Sequence, residues 1–288
     1  MQDQLFALLQ YFLPQHLISR CVGWLASSRQ AWLREPLIRQ FIRSYDVDMS
    51  EAEREDPNSY LSFNDFFTRA LKPGARALPA DEHAICCPAD GCISQIGRLQ
   101  GELLLQAKGR SFSLLELIGG DAQLAQSFSN GLFATIYLSP RDYHRVHMPL
   151  AGTLRRMIHI PGDLFSVNAA TTREVARLFA RNERLVCIFE TAAGPMALIL
   201  VGAMIVASIE TVWSGLVTPR GRRPQTFYYQ DRAPHIELER GAEMGRFLLG
   251  STAIILLPEH AAAWAPTLSA GCSVRMGSAL GTWQAASS

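Results

Sequence analysis

Pro195-Met196-Ala197-Leu198-Ile199-Leu200-Val201-Gly202-Ala203-Met204-Ile205-Val206-Ala207-Ser208-Ile209 is the longest apolar run in the chain. A bilayer-spanning helix needs about 20 apolar residues, and this run is too short to be one. It is rich in β-branched side chains and interrupted by Gly202, a residue that marks a bend or a close backbone approach within strands. The run predicts buried strand, in two pieces with a kink at Gly202.

Other stretches share its texture. Short strand-like runs separated by Gly, Pro and Asp cover Cys92 to Leu99, Glu102 to Gln106, Leu132 to Leu138, Thr153 to Ile160, Arg184 to Glu190 and Thr252 to Leu257. Helical patterns interrupt them at Leu114 to Phe128 and Thr172 to Arg181. Ahead of this body, Leu5 to about Ile42 reads as helical. Leu5, Leu8, Leu9 and Phe12 share one face, the chain breaks at Pro14, and Leu17, Ile18, Cys21 and Leu25 form a second face. An acidic loop from Glu51 to Pro57 ends that region, and Ser59 to Leu71 predicts one more helix, stopped by Lys72-Pro73-Gly74. The expected class is α+β, a largely antiparallel β body with an N-terminal amphipathic helical layer. The division is residues 1–58 for the helical region and 59–288 for the β-rich domain.

With 288 residues, 48% apolar residues and a formal net charge of +1, the chain can bury a large core and carries no concentrated basic field. Nucleic acid is not an expected partner. Cys21, Cys86, Cys87, Cys92, Cys187 and Cys272 follow no repeating frame, and the N-terminus lacks the basic start and small-residue cleavage site of a secretory signal. Reduced thiols in a cytosolic setting are expected. The spacing of Cys86, Cys87 and Cys92 matches no common zinc frame, so these read as small buried hydrophobes and no metal is expected. Trp24 and Trp32, with Arg20, Arg29, Arg34, Arg39 and Arg43, give the first helices the composition of an interfacial membrane helix, although a helical cap packed on the body fits the same pattern.

Gly250-Ser251-Thr252 lies between the apolar runs Phe247 to Leu249 and Ala253 to Leu257. Small residues there fit a bulge in a strand. They also fit chemistry: a serine after a glycine has its hydroxyl beside an unhindered carbonyl, so an acyl shift can turn that amide into an ester. Loss of the Ser251 α proton then expels the ester, and hydrolysis of the dehydroalanine leaves ammonia and a pyruvoyl group. A base and an orienting acid are needed. Tyr143-His144-Arg145-Val146-His147-Met148-Pro149 carries two histidines three apart in a segment that Pro140 and Pro149 keep out of a helix. In extended chain they project to opposite faces, which favours separate acid-base roles over one shared metal. Asp90, in the turn Pro88-Ala89-Asp90-Gly91, can orient an imidazole. Asp90, His147 and Ser251 would serve as orienter, base and nucleophile, an order that equally fits a serine hydrolase.

With these residues in view, the chain resembles the membrane-associated, pyruvoyl-dependent phosphatidylserine decarboxylases of bacteria. The stretches that carry the likeness are Phe63-Asn64-Asp65-Phe66-Phe67-Thr68-Arg69 with Leu71-Lys72-Pro73-Gly74-Ala75-Arg76, Pro88 to Gly91, Tyr143 to Pro149, Pro161-Gly162-Asp163-Leu164-Phe165-Ser166-Val167-Asn168, and Met244-Gly245-Arg246-Phe247 running into Leu249 to Thr252. The resemblance implies self-cleavage between Gly250 and Ser251 by Asp90, His147 and Ser251, giving a β chain of residues 1–250 and an α chain of 251–288. It implies a pyruvoyl cofactor derived from Ser251, which supplies the carbonyl sink that loss of carbon dioxide requires. His144 becomes a candidate proton donor for decarboxylation, with Tyr137 and Ser166 as pocket candidates. The implied partners are phosphatidylserine in the bilayer, the cytoplasmic face of the cell membrane as a peripheral site, and a second cleaved protomer.

Two other classes compete. A lipid-acting serine hydrolase could use the same three residues, but the chain lacks the Gly-x-Ser-x-Gly elbow at Ser251. A non-catalytic membrane-binding β domain accounts for the helices and strands but gives Asp90, His147 and Ser251 no task.

Overall fold

The computed structural model describes residues 8, 10–11, 13–107, 109–204, 208–218, 223–248 and 251–284. Leu5, Leu9, Phe12 and Gly250 lie outside the described residues.

The body is built on a twisted, mainly antiparallel sheet. Its path runs through β1 (Gly91–Arg98), β2 (Leu132–Tyr137), β3 (Gly152–Ile160), β4 (Arg184–Thr191), β5 (Gly194–Val201), β6 (Gln225–Tyr228), β7 (Thr252–Leu257) and β8 (Ser273–Val274) in the spatial order β6-β3-β4-β5-β7-β2-β1-β8. The long apolar run behaves as expected. Its first part is β5, which ends at Val201 before Gly202, and the chain then re-enters a separate small sheet at Ile209–Thr211. Leu198 and Leu200 join the hydrophobic cluster on one side of the sheet, while Ile199 and Val201 join the cluster on the other. A strand covered on both faces reads as a continuous apolar run, which is why the sequence showed no alternation there.

Strand β7 lies between β5 and β2, with Thr252 opposite both Val201 and Tyr137. Every residue of β7 is buried. The turn before β1 depends on Gly91, where an added Cβ would stand 2.2 Å from the Tyr137 carbonyl oxygen. Only a residue without a Cβ lets the Asp90 turn come this close to the end of β2.

The helical layer consists of α1 (Gln15–Ala26), α2 (Ala31–Tyr45) and the short α3 (Phe63–Phe67). Helix α1 starts after Pro14, where the break was expected. The helix expected over Ser59 to Leu71 is much shorter. Ser62 caps α3 by accepting from the Asp65 amide, and the Asp65 carboxylate accepts from the Leu61 amide and Arg54, which fixes the preceding residues as a turn. Ile38, Tyr60, Phe63, Phe66 and Phe67 form a separate small core, with Phe41 edge-on to the Phe63, Phe66 and Phe67 rings. This core draws on both sides of residue 58. The pattern from Leu114 to Phe128 is likewise two helices, Leu114–Leu117 and Ala122–Ser127, because Gly119 and Gly120 adopt positive φ between them. That from Thr172 to Arg181 resolves into Ala169–Glu174 and Leu178–Arg181.

Helix α1 is inside-out. Its buried residues include Gln15 and Ser19, while Leu17 and Trp24 are exposed at 60% and 77%. Gln15 reaches the body by accepting from the Leu164 amide at 2.7 Å. Trp32 of α2 is also exposed. No described helix is long and apolar enough to cross a membrane.

Candidate active site

The first amide bond after the expected cut is fixed by the sheet. Ser251 precedes β7, is 1% exposed, and its carbonyl accepts from the Leu138 amide at 2.7 Å. Among the described residues its hydroxyl has one neighbour in hydrogen-bonding range, the Thr252 Oγ1 at 3.5 Å. The side chain is therefore sequestered from water yet weakly engaged, as a hydroxyl held for a reaction on its own backbone should be. Among the described residues, replacing the hydroxyl by a keto oxygen would disturb only this long contact and would keep the carbonyl bond to Leu138.

Tyr137, the residue before Leu138, sits opposite Thr252 on one side and Cys92 on the other. It borders a cavity of about 720 Å³ whose wall also includes Asp90, Tyr143, Arg69 and Arg76. A smaller cavity of about 340 Å³ continues on the far side of Tyr137 towards Asn168. Ser166 is engaged elsewhere, since Gln10 donates to its hydroxyl at 2.8 Å and accepts from its amide at 2.9 Å.

His144 precedes and His147 ends a short extended segment, Arg145–His147, as the prolines around them required. His144 is 1% exposed and its ring lies 3.9 Å from the Phe67 ring. Its Nδ1 is 2.7 Å from the Asp142 carbonyl, which can only accept, so Nδ1 carries the proton and Nε2 the lone pair. Burial, aided by the Arg69 cation, pushes the imidazole down to about 3. In this arrangement His144 is a neutral base at physiological pH, and it must first take up a proton before it can donate one. A free imidazole titrating near neutrality is not what the fold presents.

His147 follows the same logic. Its Nδ1 lies 2.8 Å from the Gly241 carbonyl, so that nitrogen donates, and Nε2 accepts from the Tyr143 hydroxyl at 3.0 Å. Burial lowers its pKa, against the opposing pull of the Gly241 carbonyl and the Glu243 carboxylate.

Asp90 does not hydrogen-bond to His147. Arg76 donates Nε to its Oδ1 at 3.0 Å and Nη2 to its Oδ2, and the Met276 amide donates to Oδ1 at 2.7 Å. The same Arg76 also donates to Glu51 at 2.9 Å, which in turn accepts from Arg275. The contacts of Asp90 belong to an ion-pair network that joins residues before and after Ser251. The structure brings Tyr137 alongside Thr252, and it leaves the Asp90, His147 and Ser251 side chains without hydrogen bonds to one another. Tyr143, Gly241, Arg76 and Met276, which hold the site together, had no role in the sequence reading. Tyr143 and Arg76 lie inside the motif stretches quoted above, so the signal was there as position without a chemical task.

A family model described as phosphatidylserine decarboxylase matches residues 63–282. The chain belongs to the phosphatidylserine decarboxylase family. A second model, described as PSD, matches residues 5–46. Curated relatives carrying the name phosphatidylserine decarboxylase proenzyme include one from Pseudomonas paraeruginosa, 59% identical over 281 residues that make up 97% of this chain and 97% of the relative. Another, from Ectopseudomonas mendocina, is 58% identical and covers 99% and 100% of the two chains. A third, from Bordetella pertussis, is 59% identical with 97% and 94% covered. Membership of the phosphatidylserine decarboxylase family therefore extends over almost the whole chain, helical layer included.

The depressed histidines make stability depend on acidity. Between pH 6.5, the ordinary value, and about 3, the unfolded chain protonates residue 144 while the folded chain does not. Stability is therefore expected to fall as pH drops through that window and to be insensitive to this group above it. Urea midpoints at pH 7 and pH 5 should differ less in a His144→Gln variant than in the parent, and the same difference in both proteins would contradict the buried neutral imidazole.

Proposed function

We propose that the chain decarboxylates phosphatidylserine to phosphatidylethanolamine and carbon dioxide, after cutting itself between Gly250 and Ser251. The observation that carries the reading is Ser251 itself: a buried, weakly engaged hydroxyl at the head of the central strand, its carbonyl bound by the amide between two residues that wall a polar cavity, in a chain 59% identical to a proenzyme of that name. Ser251 would become the pyruvoyl group, and the carbonyl fixed by Leu138 would hold that group in line with β7. When formed, the group supplies the electron sink that decarboxylation of an amino acid demands.

The chain's own residues supply the rest. His147, with its Nε2 lone pair turned to Tyr143, serves as the base of self-cleavage, and Asp90 contributes its negative field from the Arg76 network. His144, buried against the Phe67 ring, receives and returns a proton at Nε2. Tyr137 forms the wall between the two cavities. Each role is open to substitution.

The same reading covers location and assembly. Leu17, Trp24 and Trp32 face outward on the helical layer, and such residues with neighbouring arginines suit the headgroup layer of an anionic membrane. Peripheral attachment to the cytoplasmic side, a helical region of residues 1–58 serving a β-rich catalytic domain of 59–288, and a dimer of cleaved protomers complete the proposal.

One preparation tests it. Purified protein is mixed with vesicles containing phosphatidylserine labelled in the serine carboxyl, and released carbon dioxide is counted while flotation measures binding. Release with co-flotation is expected. Binding without release would reduce the chain to a membrane-binding domain, and labelling by a fluorophosphonate without release would point to a hydrolase.

A further inference from the structure

Five carboxylates, Asp46 and Asp48 among them, and four arginines wall the larger cavity, and several of these charges are matched. Arg76 is shared by Asp90 and Glu51, Arg275 donates to Glu51, and Asp142 accepts from the Ser139 amide and hydroxyl at 2.6 and 2.7 Å. Arg69 and Arg141 are different. Among the described residues, neither has a carboxylate partner.

Arg69 is 3% exposed. Its Nη2 donates to the Arg141 carbonyl at 3.1 Å, and its guanidinium lies 5.6 Å from the centre of the Phe66 ring. Its Nε and Nη1 are buried without an acceptor among the described residues. A desolvated cation with idle donors is costly, and a fold retains one where an anion arrives to meet it. Arg141 is exposed on the loop that Arg69 braces, and both contribute to the cavity wall. That wall also includes Tyr137 and Ser139, which flank the Leu138 amide that binds the Ser251 carbonyl. The two cations therefore line a chamber whose wall includes the residues on either side of the amide that holds Ser251.

We propose that Arg69 and Arg141 clamp the phosphodiester of the lipid headgroup. The assignment rests on the decarboxylase reading above. Two oxyanions of the substrate have the required chemistry, the phosphodiester and the carboxylate. A guanidinium that gripped the carboxylate would stabilise the ground state and lose its partner as carbon dioxide leaves, raising the barrier. The phosphodiester keeps its charge throughout, so binding there positions the serine moiety without opposing the reaction.

The test uses self-cleaved protein and two soluble probes. Glycerophosphoethanolamine carries the phosphodiester without a carboxylate, and free serine carries the carboxylate without a phosphodiester. Calorimetry measures both affinities, and turnover of phosphatidylserine in mixed micelles gives KM and kcat. Arg141→Ala should weaken glycerophosphoethanolamine binding and raise KM by about tenfold, the scale of one charge-assisted hydrogen bond, with kcat little changed. Arg69→Lys, which keeps the charge and loses the planar fork, should weaken it further. If Arg69→Lys fails to fold or to cut itself, Arg141→Ala decides alone. Unchanged affinity for glycerophosphoethanolamine overturns the clamp, and a loss confined to serine overturns the phosphodiester in favour of the carboxylate. Wild-type protein that releases no carbon dioxide would sink the underlying reading, whereas active wild type with unaltered variants sinks only the clamp.

Discussion

A Ser251→Ala variant is expected to remain a single 31.9 kDa chain and to show no carbon dioxide release above background. Alanine offers no oxygen to attack the preceding carbonyl and no leaving group for elimination, so neither the cut nor the ketone can form. The fold should survive. Ser251 holds the sheet through its carbonyl, which alanine keeps, and among the described residues its hydroxyl makes only the long contact to Thr252. Intact-mass measurement of wild type and variant separates the outcomes. The parent should appear as two pieces, residues 1–250 and 251–288, the second blocked at its N-terminus. Two pieces from the variant would show that another residue starts the reaction.

The second large effect is at Asp90. Asp90→Asn keeps the shape of the side chain and an oxygen for the Met276 amide, but it removes the charge facing Arg76, whose side chain is only 5% exposed. A buried pair broken on one side loses roughly 3–5 kcal/mol, and Arg76 retains Glu51, so about 3 kcal/mol is expected. Measuring urea midpoints in a Ser251→Ala background keeps both proteins uncut and makes the comparison one of stability alone. In the wild-type background the same change should slow self-cleavage, because His147 loses a nearby negative charge that favours its protonated form. Cleavage at the parental rate with an unmoved midpoint would remove Asp90 from both roles.

Much of the fold was legible because its strands are long and apolar. The seven strand runs read from the sequence all contain real strands, and the divided run at Gly202 falls into two sheets. What stayed hidden was short or polar. Gln225–Tyr228 and Ser273–Val274 are brief, partly exposed edge pieces whose pairing is decided by the rest of the sheet. Helices were overextended wherever a local device stopped them, such as the Asp65 turn or the Gly119-Gly120 pair.

The site was legible as a list of reactive residues and not as a set of contacts. Asp90, His147 and Ser251 stood out by residue type and neighbouring sequence, yet nothing in one chain shows that Arg76 claims Asp90 or that Gly241 sets the tautomer of His147. Arginine is rarely buried, so Arg69 and Arg76 carried no sign of their burial. Tyr143 is similar: its hydroxyl matters only once the chain brings His147 back beside it.

The setting of β7 bears on what the cut does to the protein as a body. The segment after Ser251 supplies the strand between β5 and β2, the edge strand β8 and the amide that holds Asp90. Severing the bond at Ser251 would release nothing, because the small piece is threaded through the middle of the large one. Before the cut, unfolding and refolding concern one molecule and are independent of dilution. After it, losing the fold also means losing the partner, and recovery needs two strangers to meet and one to slot between strands that would otherwise close on each other. Maturation would then work as a ratchet on the folding history of the chain.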